Sequence, residues 1–320
     1  MTSLIAEPLS AGPIFHIGYH RTGTTYFQQV VYPSVDNAVM LARRIVRQAL
    51  IAPRALDFDP HSAREALIEA AGGRQFIACE ENLSGYIHNG GLGGLVARES
   101  ANRIHACFPE ARIVIFIRSQ PAIVLASYAQ YVRGGGTYNL KEYVFGQTSV
   151  PGAQKHWYKS PVFSLDHFRY GPLIEYYRSL FGVDRVHVKL FELFSRDTTD
   201  FLRDYASEMR LELDVSRIST VRVNSSLPPR SLAILRRLNL LTGRSVQNKR
   251  VLVEIEDWYE RRWAWLRGIE KVLRWSSLDR ERSEHSALVL AAIERSMASD
   301  NSKLSKVLDL DLSRYGYPAL

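Results

Sequence analysis

The sequence contains little cysteine and no long apolar run. Cys79 and Cys107 are the only cysteines in 320 residues, which is too few for a disulfide framework and favours a reducing cytoplasm. No apolar run reaches about 18 residues, so no transmembrane helix is predicted. The first dozen residues have neither a basic start nor a long apolar stretch, and we therefore expect no signal peptide.

Acidic residues are outnumbered by basic ones. The 33 Asp and Glu stand against 41 Lys and Arg, which gives a formal net charge of +8. This excess indicates an anionic ligand or partner without identifying it. Nucleic acid is not expected, because the sequence has no zinc-finger spacing and no aromatic-studded RNA-binding signature. Hydrophobic residues make up 46% of the chain, as is typical of a globular protein with a sizeable core.

Apolar strand-like runs alternate with amphipathic segments along most of the chain. We predict four strands, at 13–18, 75–79, Arg112–Ile117 and Val186–Leu190. We predict six helices, at 25–31, 39–50, 61–71, 92–108, 121–133 and 197–209. Strands that alternate with helices indicate a parallel sheet covered on both faces. The expected fold is therefore an α/β three-layer sandwich of the P-loop type with a central parallel sheet.

The C-terminal part has a different character. We expect one domain over 1–320, with an α/β core over about 13–225 and a helical region over about 228–320. Within the helical region, the stretch 250–275 carries several tryptophans among basic residues. A membrane-surface helix is one interpretation. Acidic residues offset much of the positive charge of this stretch, which favours a helix packed on the core or at the seam of a homodimer.

The segment 18–25, Gly-Tyr-His-Arg-Thr-Gly-Thr-Thr, follows a predicted strand and opens a predicted helix. Its glycines allow a tight turn in which successive N–H groups point at an anion, and the helix N-terminus adds the positive end of its dipole. A nucleotide-triphosphatase loop has a lysine after its second glycine, but this chain has Thr24 there and places its cation earlier, at Arg21. A γ-phosphate therefore lacks its usual partner, whereas a nucleotide with one sulfated 5'-phosphate does not need that partner.

Arg21, Thr22, Gly23, Thr24 and Thr25 resemble the 5'-phosphosulfate-binding motif of sulfotransferases that use 3'-phosphoadenosine 5'-phosphosulfate (PAPS). That motif is Lys or Arg, then Ser or Thr, then Gly-Thr-Thr. The resemblance implies transfer of a sulfuryl group from PAPS to a hydroxyl or amine of a small-molecule or carbohydrate acceptor. It also implies 3',5'-ADP as product and no metal. Arginine in place of the commoner lysine favours electrostatic clamping over proton donation.

A second segment resembles the 3'-phosphate-binding motif of the same family. Arg118 ends the predicted strand Arg112–Ile117, and Ser127 lies nine residues later on the following helix. The resemblance implies that both hold the 3'-phosphate, since an arginine can fork onto a phosphate and a hydroxyl completes its shell. In many family members the serine follows the arginine by eight residues. This chain has Ala126 at that position, which is a departure from the pattern.

Two carboxylates, Glu80 and Glu81, follow the predicted strand 75–79. In bacterial and glycosaminoglycan-type members that this chain resembles, a glutamate at the end of this strand is the general base. The Asn-Leu-Ser-Gly that follows favours Glu81. Glu80 stays open, because side chains alternate along a strand and only one of the pair faces the crevice. If neither is the base, His20 and His156 are the next candidates.

Two other functions compete with sulfuryl transfer. A P-loop kinase or nucleotide triphosphatase would use the strand end 76–81 to hold magnesium, but it lacks the loop lysine. A non-catalytic module would bind polyanions with its basic C-terminal helices. Two weaker candidate segments accompany the transferase interpretation, 156–158 for an acceptor pocket and 222–226 for a late nucleotide-contacting loop.

Overall fold

The computed structural model describes residues 12–146, 162–218, 229–242 and 277–320. Five strands form one sheet: β1 Ile14–Gly18, β2 Val39–Met40, β3 Phe76–Cys79, β4 Arg112–Ile117 and β5 Val186–Leu190. They are all parallel and lie in the order β2-β3-β1-β4-β5, so that β1 is central. The helices are α1 Thr24–Tyr26, α2 Arg43–Leu50, α3 Pro60–Ala70, α4 Leu95–Cys107, α5 Gln120–Arg133, α6 Leu140–Phe145, α7 Tyr170–Phe181, α8 Phe191–Arg196, α9 Thr198–Glu208, α10 Pro229–Thr242 and α11 Ser277–Leu308.

The sheet is covered by helices on both faces. In β1, Phe15 and Ile17 belong to one apolar cluster, which also takes residues from α2, α3, α4 and α7, whereas Ile14 belongs to a second cluster with residues of α9. In β4, Ile115 and Phe116 divide between the same two clusters. Successive side chains of a strand point to opposite faces, so β1 and β4 are covered by apolar residues on both faces. The predicted α/β three-layer sandwich is confirmed.

One predicted helix was drawn too long. The pattern 39–50 is not helical throughout, because Val39–Met40 is the edge strand β2 and the helix begins only at Arg43. Val39 N donates to the carbonyl oxygen of Gln75 at 2.8 Å, which places the segment in the ladder with β3. A two-residue strand is too short to show the alternation that identifies a strand in a sequence.

The described C-terminal helices pack on the α/β core. Leu232 and Leu235 of α10 contact Ala129 and Val132 of α5. Helix α11 contributes apolar residues, among them Ile293, to the larger of the two clusters that cover the sheet. Thus α10 is anchored to α5, the helix that follows β4, and α11 contacts α5, α6 and α7.

Three segments singled out in the sequence lie outside the described residues: 156–158, 222–226 and 250–275. Within the described ranges, the helices are all too short or too polar to cross a membrane.

Candidate functional site

The loop 18–25 lies at the carboxyl end of the central strand β1, where α/β proteins form ligand crevices. Gly23 has a φ of +92°, and a Cβ there would come within 3.0 Å of the Phe194 ring, so only glycine fits without displacing that ring. Arg21 also adopts the left-handed region, with a φ of +62°, which is uncommon for a side chain with a Cβ. Tyr26 N donates to Gly23 O at 2.8 Å and begins the helix, so the N–H groups of the loop residues before it head the helix.

Three arginines crowd the loop. Nη1 of Arg118 donates to the carbonyl oxygen of Arg21 at 2.9 Å, which joins the end of β4 to the loop. Burial, together with the charges of Arg133 and Arg118, lowers the pKa of Arg21. The Nε atoms of Arg21 and Arg118 are buried and lack a hydrogen-bond partner within the described ranges. Buried charged donors without partners are costly, and anionic groups bound at these two atoms would satisfy them.

Two other residues predicted to hold the nucleotide, Thr22 and Ser127, already use their hydroxyls in hydrogen bonds to backbone carbonyls. Thr22 is fully buried and donates to the carbonyl oxygen of Tyr19, so it stabilises the loop internally. Ser127 is also fully buried, and its Oγ donates to Ile123 O at 2.7 Å within α5. Binding a phosphate through Ser127 would require its hydroxyl to turn away from that carbonyl. The structure therefore brings Arg21 and Arg118 together but leaves the hydroxyl of Ser127 engaged in its own helix.

Glu80 lies at the end of β3 and is 0% exposed. Its oxygens accept from Arg43 Nε at 2.9 Å and from Arg47 Nε at 2.7 Å. They also accept from the backbone N–H of Asn82 at 3.1 Å and from its Nδ2 at 2.6 Å. Burial raises the pKa of Glu80, but the hydrogen bonds from Arg43 and Arg47 outweigh it and hold the pKa below its ordinary value. Glu80 is therefore an ionised carboxylate whose oxygens are already occupied.

Glu80→Gln is expected to lower the free energy of unfolding by about 2–3 kcal/mol, because the arginines lose the charge that they surround and the new amide presents donors to donors. Urea denaturation followed by circular dichroism measures the effect. Glu65→Gln is the control, since the partner of Glu65 is the exposed His61, and it should change stability by less than about 0.5 kcal/mol. Equal unfolding midpoints for Glu80→Gln and wild type would contradict the structural role of Glu80.

Glu81 begins the 3-10 turn Glu81–Ser84 that follows β3. Its side chain is 15% exposed and forms an ion pair with Arg43, and Gln28 Nε2 donates to its Oε2 at 3.0 Å. A Cβ at Gly18 would lie 3.4 Å from Glu81 Cα and 2.9 Å from Ser84 Oγ. Glycine at this position therefore lets the start of the loop and the turn carrying Glu81 approach closely.

A third polar side chain lies at the turn Glu81–Ser84. His20, in the middle of the loop, is 6% exposed, and its Nε2 lies 3.1 Å from Asn82 Oδ1. Burial lowers the pKa of His20, and the charge of Glu81 opposes this shift without reversing it. Burial lowers the pKa values of His88 and His167, and a protonated His20 would lower them further. The imidazoles here are neutral at pH 7.

Sequence reasoning missed the residues that hold the two carboxylates, namely Gln28, Arg43, Arg47 and Asn82. One signal was present, because arginines four residues apart lie on one face of a helix and can reach the same anion. Nothing in the sequence said that this face of α2 meets the end of β3. Those residues fix Glu80 and Glu81 in distinct environments, which the spacing of the two glutamates alone does not reveal.

Comparison with known proteins gives structural neighbours only. No family model and no curated protein sequence matches the chain. A sulfotransferase from Alicyclobacillus acidocaldarius superimposes with a TM-score of 0.47 at 16% identity, over 72% of this chain and 93% of that one. The sulfotransferase domain from the curacin biosynthetic pathway gives 0.39 at 10%, over 65% and 76%. A mouse sulfotransferase complexed with PAP gives 0.32 at 13%, over 86% and 89%. At these identities the likeness concerns the fold alone.

Proposed function

We propose that this protein is a sulfotransferase that moves the sulfuryl group of PAPS to an acceptor hydroxyl or amine. The observation that carries the proposal is the proximity of two half-buried arginines beside the loop. Arg118 Nη1 donates to the backbone carbonyl oxygen of Arg21 at 2.9 Å, and the buried Nε atoms of both side chains lack a hydrogen-bond partner among the described residues. Such a pair suits a ligand with two separate anionic groups. PAPS carries a sulfated 5'-phosphate and a 3'-phosphate.

The residues present fit this donor. Arg21, Thr24 and Thr25 with the loop N–H groups would hold the 5'-phosphosulfate, because they head the helix that follows β1. Arg118 would hold the 3'-phosphate, and its stacking on the Phe191 ring at 4.5 Å fixes the plane of its guanidinium. PAPS would supply the activated sulfuryl group. In this assignment, the fully buried Ser127 can donate to the 3'-phosphate only if its hydroxyl rotates away from the carbonyl oxygen of Ile123.

The remaining chemistry is charge stabilisation and proton removal. Arg21 and the loop N–H groups would neutralise charge growing on the oxygen between sulfur and the 5'-phosphate, the kind of preorganised help that dominates many transfers. Glu81 would be the general base for the acceptor, because its side chain is 15% exposed and pairs with one arginine, Arg43, whereas the alternative Glu80 is fully buried and its oxygens accept from Arg43, Arg47 and Asn82. This scheme uses no metal.

The same contacts argue against the kinase alternative. A kinase would need the carboxylates at the end of β3 for magnesium, but Arg43 and Arg47 already neutralise Glu80, and Arg43 pairs with Glu81 as well. A cation would have to displace two arginines to bind there. Together with the missing loop lysine, this favours the transfer of a sulfuryl group over that of a phosphoryl group.

The proposal predicts that 3',5'-ADP binds at least about tenfold more tightly than 5'-AMP in the absence of magnesium. A charge-assisted contact from Arg118 to the 3'-phosphate contributes about 1.5–3 kcal/mol, which is one to two decades of affinity. Titration calorimetry measures both affinities. Arg118→Ala should abolish the preference. Arg98→Ala should retain it, since Arg98 packs on Tyr176 instead.

Three outcomes would contradict the assignment. Equal affinities of the wild-type protein for 3',5'-ADP and 5'-AMP would remove the role of Arg118. Binding that is seen only with ATP and magnesium would indicate the kinase, and binding only of polyanions would indicate the non-catalytic module.

A further inference from the structure

The orientation of Asn82 is fixed by its neighbour Glu80. A carboxylate only accepts hydrogen bonds, so the Asn82 side-chain atom that lies 2.6 Å from Glu80 Oε1 must be the amide nitrogen. The carbonyl oxygen of the Asn82 side chain then faces the other way, toward His20. The arginines that surround Glu80 keep it ionised, so this orientation does not depend on pH near neutrality.

The orientation of Asn82 in turn fixes the tautomer of His20. His20 Nε2 lies 3.1 Å from Asn82 Oδ1, and a carbonyl oxygen can only accept, so Nε2 carries the proton. A neutral imidazole has a single N–H, and therefore Nδ1 of His20 is a bare lone pair. That atom is buried and has no hydrogen-bond partner among the residues that the structure describes. An unpartnered buried acceptor beside an anion loop indicates a ligand that donates to it.

We infer that His20 is a further catalytic residue, whose Nδ1 accepts the proton of the attacking acceptor group while Glu81 stabilises the resulting imidazolium. The inference rests on the proposed function and refines its proton step, since the basic site becomes a His20–Glu81 pair. His20 adjoins Arg21 in the loop, so the base stands next to the residue that would clamp the sulfated phosphate. Asn82 and Glu80 are positioning residues for its tautomer.

The step is balanced. A bond forms between the acceptor atom and sulfur, the bond from sulfur to the bridging oxygen breaks, and that oxygen keeps the electron pair in 3',5'-ADP. The acceptor proton passes to His20 Nδ1 and later leaves to solvent. The imidazolium is favoured by the charges of Glu81 and Glu80 and disfavoured by burial and by Arg43. His88 and His167 are neutral neighbours because burial lowers their pKa values.

The first test determines which ring nitrogen of His20 carries the proton. ¹⁵N NMR of histidine-labelled protein at pH 7 should show His20 protonated on Nε2 and bare on Nδ1, with assignment by the loss of its signals in His20→Phe. Asn82→Ala should abolish the preference for that tautomer. A wild-type His20 that is protonated on Nδ1, or positively charged at pH 7, would overturn the inference.

The second test measures the slow hydrolysis of ³⁵S-labelled PAPS, in which water is the acceptor. Water must lose a proton in this reaction, as any other acceptor does. His20→Phe retains an aromatic ring at this position but removes both ring nitrogens. It should lower the hydrolysis rate by roughly a hundred- to ten-thousandfold, while the affinity for 3',5'-ADP stays within about twofold of wild type. His105→Phe is the matched control, because His105 of α4 packs against Phe181 of α7, and it should be near wild type.

The pH profile separates the two possible bases. In the wild-type protein the hydrolysis rate should fall as pH drops through the pKa of His20, which burial holds below 6.5. In Glu81→Gln the residual rate should show this fall at still lower pH, because the charge that raises the pKa of His20 is gone. A nearly unaffected His20→Phe beside an inactive Glu81→Gln would overturn the inference and leave the proposed function intact. A wild-type protein that neither binds 3',5'-ADP nor turns over PAPS would instead refute the proposed function.

Discussion

Glu81→Gln is expected to lower the rate of sulfuryl transfer by roughly a hundred- to ten-thousandfold. Glutamine preserves the shape of the side chain and can still contact Gln28 and Arg43, but it has neither the negative charge nor the basicity of the carboxylate. The loss is of the same order whether Glu81 takes the proton itself or stabilises the imidazolium of His20, since removing the carboxylate beside a catalytic histidine is comparably severe in serine proteases. Single-turnover transfer from labelled PAPS measures it.

Affinity for 3',5'-ADP should be nearly unchanged in Glu81→Gln, because the carboxylate addresses the acceptor and not the nucleotide. The control is Glu192→Gln, a carboxylate near Arg118 whose oxygens accept from Ser119 N and from the Tyr317 hydroxyl. That variant leaves Glu81 in place, so the transfer rate of the nucleotide-bound enzyme should stay near wild type. A full transfer rate in Glu81→Gln would show that this carboxylate is not needed for proton removal.

The central part of the fold could be predicted from sequence because its signals are local. The strands β1 and β4 are mainly apolar, as strands buried on both faces should be. The loop after β1 carries its glycines and cation within eight residues. The edge strand β2 could not be predicted, since two residues show no period. Helix α7, Tyr170–Phe181, was not among the predicted helices, although its buried tyrosines and isoleucine have helical spacing.

The environment of the carboxylates could not be predicted, because it depends on contacts distant in sequence. Alternation along β3 shows that Glu80 and Glu81 face different sides, but not which of them is fully buried against two arginines. That is decided by Arg43 and Arg47, whose helix follows β2 and precedes β3 by a whole helical segment. The tautomer of His20 is also decided by long-range geometry, through Asn82. The assignments of Arg21, Arg118 and Ser127 to the nucleotide stay predictions.

Arg21→Ala is expected to reduce turnover at least about a thousandfold, which is the scale of losing one preorganised donor to a developing oxyanion, with the added loss of a full charge. The protein should still fold, since Arg21 lies on a loop and contributes no apolar side chain to the core. Removing one member of a crowded set of cations also relieves repulsion from Arg118 and Arg133. The variant should therefore unfold at a temperature no lower than wild type while binding 3',5'-ADP more weakly.

Arg21→Lys distinguishes charge from geometry at the same place. If Arg21 acts mainly by charge, lysine should restore turnover to within about tenfold of wild type, because an ammonium on a flexible stem can still reach the bridging oxygen. The left-handed backbone at this position, with a φ of +62°, is equally strained for alanine and lysine, so the comparison between the two variants isolates the side-chain charge. Circular dichroism and single-turnover transfer are measured on both. Should the lysine variant be as inactive as the alanine variant with both correctly folded, then charge alone is insufficient, and the planar fork of the guanidinium, which can donate to two oxygens at once, is what the loop requires.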